Sequence, residues 1–213
     1  MHYAKNDIAE MDRIRRIKYI NSVSGIKPAN LIGTISEDGK TNLAIFSSVF
    51  HLGSDPALLG FITRPTGEVP RHTFENLIEN GQYTINHVPS AFAKNAHYTA
   101  TKLNRDQSEF EFCGFTPEYV TDFKAPFVKE SALKMGMRFK QTIDIELNGT
   151  ILVIGEIEHL ILPNAAIDDE DDVNLAAIDG VGISGLNTYY DLKKIARYPY
   201  ARAGEMPDFK KRE

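Results

Sequence analysis

The sequence contains little cysteine and no long apolar run, and each shortage narrows the classes of protein that it can encode. Its single cysteine, Cys113, excludes a disulfide framework within the chain and a metal site built from several thiolates. It agrees with a reducing, cytoplasmic setting, where a lone cysteine is either a buried structural residue or a redox-active thiol. No stretch reaches the ~18 consecutive apolar residues of a membrane-spanning helix, and the first residues lack the apolar core of a signal peptide.

Positive charge is scarce as well. The chain has 24 lysines and arginines against 29 aspartates and glutamates, a formal net charge of −5. A protein that coats nucleic acid needs a strong positive field, so nucleic acid is not expected as a partner, although a local basic pocket for one phosphate stays open. The chain of 213 residues is long enough to bury a core, and we expect one domain over residues 1–213, with an N-terminal helix within 1–24 and a tail over 198–213.

Familiar catalytic and metal-binding motifs are missing too. The chain has neither the Gly-x-Ser-x-Gly turn of many hydrolases nor a complete phosphate loop of the form Gly-x-x-x-x-Gly-Lys-Ser/Thr. The six histidines form no ligand pair such as His-x-x-x-His, so no metal site is predicted. The acidic run Asp168–Asp172 lacks the spacing of an EF-hand, and a solvated loop is favoured there over a calcium site.

An amphipathic helix is predicted over residues 7–20, ending near Ser24-Gly25, because apolar residues recur there at near-helical spacing. Asp7, Glu10 and Asp12 interrupt its basic face. Packing against the rest of the molecule or a partner subunit is therefore favoured over a membrane surface, and no membrane is expected as a partner.

The character then changes to strands. Leu31–Ser36 and Thr41–Phe50 are β-rich, and Asp38-Gly39 between them predicts a tight turn, so the pair forms a hairpin. After the Asp55-Pro56 turn, Ala57–Thr63 is nearly all apolar and is predicted to be a strand buried on both faces.

A short helix is predicted over Thr73–Glu79, with Thr73 as its N-cap and Gly81 as the left-handed residue after its end. Tyr83–Val88 then returns to a strand, and Phe92–Tyr98 contains a further helical part. Phe127–Lys134 is predicted as another strand.

The clearest hairpin lies further along. Apolar residues alternate with polar ones up to Leu147, Asn148-Gly149 is a strong signal for a two-residue turn, and Ile151–Leu162 forms the return strand. We therefore predict a mainly β fold with inserted helices, with roughly six or seven strands in antiparallel hairpins that form a closed or partly closed barrel.

Two features suit a ligand that carries a phosphate. Arg64 directly follows the third strand, and Arg71, His72 and Thr73 stand at the start of the predicted helix, where unpaired N–H groups and arginine forks bind phosphate. Surface arginines without a ligand are the alternative.

In the strand around Asn42–Ser48, Phe46 and Ser48 would share one face and Ile45 and Ser47 the other. The two serines leave room for a flat ligand, or mark an edge strand that meets solvent.

These pieces belong to an ordered set of motifs: Lys27–Thr34, Asp38-Gly39, Asn42-Leu43-Ala44, Ser47-Ser48, Asp55-Pro56, Arg64-Pro65, Arg71-His72-Thr73-x-x-Asn76, Thr84-Ile85-Asn86 and Ser108-Glu109-Phe110. Over about residues 25–190 the set resembles the flavin-reductase-like family, with its FMN-binding split barrel and its flavoredoxin-like members. No single piece is specific, and the order carries the resemblance.

The resemblance implies a homodimer that binds FMN non-covalently and exchanges electrons with NAD(P)H or with a redox partner protein. It places the flavin ring along Ile45, Phe46, Ser47, Ser48 and Val49, and the phosphate on Arg64, Arg71, His72 and Thr73. Asn30 and Thr34, on the neighbouring strand, are weaker candidates for the cofactor site.

The sequence departs from the family pattern at two places. Reductases of the family often carry Gly-Asp-His on a turn near the nicotinamide, where this chain reads Asn148-Gly149-Thr150, and often end in an Arg-x-Gly-Gly-x-x-Tyr-like segment, whose arginine is missing here. Tyr189 or Tyr190 is expected either to cover the flavin or to pack in the core. Three functions stay open: an NAD(P)H-dependent flavin reductase, an FMN-binding electron carrier, and a split barrel that has lost its cofactor and serves as a binding module.

Overall fold

A curled antiparallel sheet forms the centre of the molecule, of which the computed structural model describes residues 1–65, 67 and 69–209. The described strands are β1 (Lys27–Pro28), β2 (Asn30–Ile35), β3 (Thr41–Phe46), β4 (Phe50–Ser54), β5 (Ala57–Thr63), β6 (Gln82–His87), β7 (Pro117–Val120), β8 (Phe123–Val128), β9 (Lys134–Ile145), β10 (Thr150–Ile161), β11 (Val181–Ser184) and β12 (Thr188–Asp191). The described α-helices are α1 (Lys5–Glu10), α2 (Arg13–Ser22), α3 (His72–Asn80), α4 (Ala93–Tyr98) and α5 (Glu109–Phe112).

The main sheet has seven strands in the order β3-β2-β6-β9-β10-β5-β4. Laid flat, such a sheet would hold its two edge strands, β3 and β4, roughly 29 Å apart, since neighbouring strands are about 4.8 Å apart. Yet the chain passes from β3 to β4 through residues 47–49 alone, a link that reaches at most about 14 Å. The sheet must therefore curl until its edges meet at this corner. The result is the mainly β split barrel that the sequence predicts.

Two clusters of buried side chains lie on opposite faces of β2. The cluster around Ile32, Phe61 and Tyr83 fills the barrel. The cluster around Leu31 and Leu43 lies outside it, under α4, α5 and β11. Because successive residues of a strand point to opposite faces, β2 supplies both clusters.

Four predicted elements differ from the observed ones. The helix predicted over residues 7–20 is broken into α1 and α2, because Asp12 caps a new helix by accepting the N–H groups of Ile14 and Arg15. The strand predicted over Phe127–Lys134 is instead the end of β8 and the start of β9. Four residues of β5 are only half-buried, because β5 lies next to the edge strand β4.

The strand predicted over Thr41–Phe50 is also wrong, because β3 ends at Phe46 and β4 begins at Phe50. Ser47, Ser48 and Val49 form the corner where the chain crosses from one sheet edge to the other. The predicted sharing of faces by Phe46 and Ser48 therefore does not hold. Two other turn predictions concern Gly81 and the last hairpin. Gly81 has φ 67° at the end of α3, as predicted. The hairpin of β9 and β10 is confirmed, but Ile145 pairs with Thr150, so its loop has the four residues 146–149 and not two.

A second, three-stranded sheet, β1-β11-β12, carries the Gly-x-Gly-x-x-Gly spacing of dinucleotide sites at Gly180–Gly185. That motif binds dinucleotides between a strand and a helix, whereas here it runs along β11 into the turn before β12. Its glycines serve packing instead: a Cβ on Gly182 would lie 2.3 Å from Ile26 Cγ2. Among the described residues, no helix has the length and apolar character needed to cross a bilayer.

Candidate functional site

The loop that leads from β5 into α3 carries the two arginines singled out by the sequence. Arg64 follows the last residue of β5 and is exposed. Arg71 caps α3: its backbone N–H donates to Glu75 Oε1 at 3.0 Å, and its Nε donates to the carbonyl of Pro65 at 3.3 Å. The side chain of the N-cap residue Arg71 makes no capping hydrogen bond. Thr73 is the second helical residue and is buried, so its predicted N-cap role is wrong.

The positive charge of this loop is not cancelled by the described residues. The guanidinium groups of Arg64 and Arg71 form no ion pair with a carboxylate within residues 1–65, 67 and 69–209. Glu75 stands nearby, but its Oε2 is held by Arg105 at 2.6 Å. The N–H groups of the first turn of α3 have no intrahelical partners and add the positive end of the helix dipole. This arrangement attracts a phosphate group.

The corner between β3 and β4 adjoins the same loop. Ser48 Oγ donates to the carbonyl of Ile62 and accepts the N–H of Ile62, each at 3.1 Å. Phe50 pairs with Gly60, so an extended β4 would place residue 48 opposite Ile62. β4 begins only at Phe50, and the Ser48 side chain makes the two hydrogen bonds to Ile62 that a strand backbone would otherwise make. Two residues after Ile62 comes Arg64, so the corner is fixed beside the start of the arginine loop.

A buried polar network joins β2, β3 and the start of α3. Asn42 Nδ2 donates to Thr73 Oγ1 at 2.9 Å and to Thr34 Oγ1 at 3.2 Å, and Asn76 Nδ2 donates to Thr34 Oγ1 at 3.1 Å. All four side chains are buried. The network therefore places the strand that carries Ile45 directly against the helix that begins at His72.

The structure thus brings most of the predicted cofactor residues to one place, where β3, its corner, the end of β5 and the start of α3 meet. Val49 is buried in the barrel core, and Phe46 packs edge-on against Phe61. Thr34 has no exposed surface, and Asn30 is only 1% exposed, with its Oδ1 left without a partner among the described residues. These two side chains face the interior and offer almost no surface to a ligand.

Tyr189 belongs to a neighbouring pair of side chains. Its hydroxyl lies 3.2 Å from His97 Nδ1, and it packs against the same buried cluster as Ile45. Burial raises the pKa of Tyr189 to about 12. Tyr190 is 45% exposed, so of the two tyrosines it is Tyr189 that contributes to core packing.

Sequence reasoning missed one polar residue beside the site. Glu109 is 5% exposed, and its Oε2 accepts the backbone N–H of Leu43 on the free edge of β3 at 3.0 Å. Burial raises the pKa of this carboxyl, while the Leu43 N–H and the charge of His72 act in the opposite direction. Only its place in the Ser108-Glu109-Phe110 motif marked it in the sequence.

A free strand edge next to an arginine-bearing helix start suits one class of ligand, a flat heteroaromatic ring joined to a phosphate. Edge N–H and C=O groups can pair with the polar edge of such a ring, while the loop holds the phosphate. The residues present therefore fit a flavin mononucleotide.

Comparison with known proteins places the fold in a family. The model of the flavin reductase like domain matches residues 26–177. The chain belongs to this family, and it carries the family's split barrel.

Solved structures agree with this assignment. A proposed flavin reductase with a split barrel domain from Shewanella frigidimarina is 49% identical, and the match covers 94% of this chain and all of that one, with a TM-score of 0.90. Component B of nitrilotriacetate monooxygenase from Bacillus cereus is 17% identical over 93% of this chain and 98% of that one, with a TM-score of 0.81. Flavoredoxin of Desulfovibrio vulgaris is 20% identical over 84% of this chain and 93% of its own, with a TM-score of 0.72. The last two share the fold.

Proposed function

We propose that this protein binds FMN non-covalently and is an oxidoreductase that oxidises NAD(P)H and passes the electrons to free flavin or another acceptor. Membership of the flavin reductase like family supports the reaction class. The single observation that supports FMN in particular is the convergence of two arginines, whose guanidinium groups form no ion pair with a described carboxylate, with the open edge of β3. The arginines would bind one phosphate and the strand edge would bind one ring, and FMN carries one of each.

Each part of the site has a role in this proposal. Arg64 and Arg71 bind the phosphate with the first-turn N–H groups of α3. The backbone of Ile45–Val49 binds the polar edge of the ring, and Ser48 keeps that backbone in place through Ile62. When bound, the cofactor supplies hydride and electron transfer, while the protein supplies position and electrostatics.

The test is the visible absorbance of freshly purified protein, followed by addition of NADH or NADPH under argon. We expect flavin bands that bleach with one of the nicotinamides, which would also name the donor. Oxidation of neither nicotinamide above the rate in buffer would contradict the reductase proposal.

An electron carrier reduced by a partner protein is the second candidate. The turn between β9 and β10 favours it, because that turn lies beside the arginine loop but reads Asn148-Gly149-Thr150, without the Gly-Asp-His of many reductases. A Cβ on Gly149 would lie 3.4 Å from Pro65 Cγ, which shows how close the turn is. Flavin bands that persist with NAD(P)H and bleach with dithionite would favour the carrier. A colourless protein that binds no added FMN would favour a non-catalytic module.

A homodimer is part of the same proposal. Phe50 and Leu52 are each 41% exposed on β4, and with Leu152 they close over Gly60 to form an apolar patch on the barrel. Contiguous apolar surface of this kind is typical of subunit contacts. We expect a dimer mass in analytical ultracentrifugation and a shift toward monomer in Leu52→Asp. Leu147→Asp, at a residue 97% exposed on the hairpin turn, is the control and should leave the mass unchanged.

A further inference from the structure

We propose that Glu109 is a positioning residue for the flavin ring: its carboxylate holds the free edge of β3 at Leu43 and so fixes the backbone of Ile45, the first edge residue left open to the ring. This inference rests on the proposed binding of FMN. It concerns a residue that lies outside the arginine loop and accepts a hydrogen bond from the sheet edge.

The covered part of the edge is defined by two hydrogen bonds. Glu109 Oε2 accepts the N–H of Leu43 at 3.0 Å, and one residue earlier Ser108 Oγ lies 2.6 Å from Thr41 Oγ1. The start of α5 thus covers the β3 edge from Thr41 to Leu43.

The open part of the edge begins where α5 stops covering it. In an antiparallel ladder, alternate residues direct their backbone groups to the same side. The Leu43 N–H points away from β2, since it is bonded to Glu109, and the backbone of Ile45 therefore points to the same free side. Phe46, which pairs with Asn30, turns its own groups toward β2. Ile45 and the corner after it are left as the polar surface of the edge.

Burial of a carboxylate is costly, so the one at Glu109 requires compensation. The Leu43 N–H and the charge of His72 compensate part of that cost. A group that only filled space here would be apolar. An acceptor is needed because the N–H of Leu43 points away from β2 on the edge strand β3 and would otherwise be buried without a partner. The same acceptor restrains the strand two residues before Ile45, where the ring would pair.

The experiment compares the affinity for FMN and for riboflavin, which has the ring but no phosphate, in flavin-free protein by fluorescence titration. Glu109→Ala should weaken binding of both flavins by about tenfold or more, because the defect lies at the ring edge. Glu109→Gln keeps an oxygen that accepts the Leu43 N–H and should restore both affinities to within about threefold. Glu111→Ala, on the exposed side of the same helix, is the matched control and should change neither.

Amide hydrogen exchange gives a second readout without flavin. Exchange at Leu43 and Ile45 should be faster in Glu109→Ala and restored in Glu109→Gln. If Glu109→Ala does not fold, Glu109→Leu fills the space without accepting a hydrogen bond and replaces it.

The possible results distinguish a failure of this inference from a failure of the proposed FMN binding. Wild-type protein that binds neither flavin would overturn the proposed function and this inference together. Normal wild-type binding that Glu109→Ala leaves intact would overturn only the role of Glu109. Loss of FMN affinity with riboflavin affinity intact would also overturn it, because the effect would then act at the phosphate.

Discussion

Two regions of this protein contain arginines beside acidic residues, and they use them in opposite ways. Arg197, before the C-terminal tail, lies 3.5 Å from Asp168, 3.0 Å from Glu170 and 2.9 Å from Asp172, so the acidic run neutralises it fully. The guanidinium groups of Arg64 and Arg71 form no ion pair with a carboxylate among the described residues. The acidic run thus forms an exposed loop, as the sequence predicts, and it also tethers the tail.

The difference shows which arginines are available to bind a ligand. An arginine whose fork is occupied by carboxylates stabilises the chain's own surface, whereas one left without them offers its charge to an anion. The supports differ as well: a buried polar network anchors the loop of Arg64 and Arg71, while Arg197 holds two exposed segments together. Each of these contrasts can be tested.

The largest expected effect comes from removing Arg64 and Arg71 together. Arg64→Ala combined with Arg71→Ala should weaken FMN binding by at least about 100-fold, since hydrogen bonds to charged groups contribute about 1.5–3 kcal/mol each and every 1.4 kcal/mol is tenfold. Riboflavin affinity should stay within about threefold, and Arg197→Ala should bind FMN like the wild type. Equal losses for both flavins in titration would show that the loop does not hold the phosphate.

The buried network gives the next effect. Asn42→Ala removes the shared donor of Thr34 and Thr73 and should lower the free energy of unfolding by about 2 kcal/mol, measured by urea denaturation. Asn174→Ala is the counterpart in the acidic region, where the side chain accepts only the N–H of Ala176. It should cost about 1 kcal/mol or less. Equal losses of unfolding free energy in Asn42→Ala and Asn174→Ala would contradict the inference that the buried network anchors its region more firmly than the acidic loop is anchored.

A smaller effect is expected at the tether of the tail. Arg197→Ala should leave the unfolding free energy within about 1 kcal/mol of wild type, because exposed ion pairs contribute little. Hydrogen exchange over residues 192–200 should nevertheless become faster. Arg202→Ala, whose only described ion pair is with Glu205, is the control. Unchanged exchange in Arg197→Ala would show that the ion pairs do not hold the tail.

The smallest expected effect is a dependence of hydrogen exchange in the C-terminal tail on pH. The N–H groups of Asp172 and Glu170, and then Arg197, hold the pKa of the Asp168 carboxyl below its ordinary value. A lowered pKa means that the contribution of Asp168 is present above the ordinary aspartate range and is lost as the pH falls through the lowered value. The protection factors of the tail amides, which correct for the pH dependence of intrinsic exchange, should therefore be unchanged at pH 5 and fall only below about pH 4. A fall already near neutral pH would contradict this.

Local chemistry made much of the structure predictable. The Asn148-Gly149 turn, Gly81 after α3, and the position of Arg64 at the end of β5 all depend on a few neighbouring residues, and each is found where the sequence places it. The end of β3 was not predictable in this way. Ser47 and Ser48 continue a β-rich pattern, and the strand stops because the chain must cross there to the other edge of the sheet.

Contacts distant in sequence account for what the local pattern could not determine. Ser48 is bonded to Ile62, Glu109 to Leu43, and Asn42 to Thr73, and no periodicity relates these pairs. The amino-acid sequence by itself specifies the hairpins, the end of α3 at Gly81 and the arginines of the loop, because turn and helix-end preferences act over a few residues. Only the curl of the sheet decides that a strand edge, a corner and a helix start meet at one site, because a three-residue link forces the two edges of a seven-stranded sheet together.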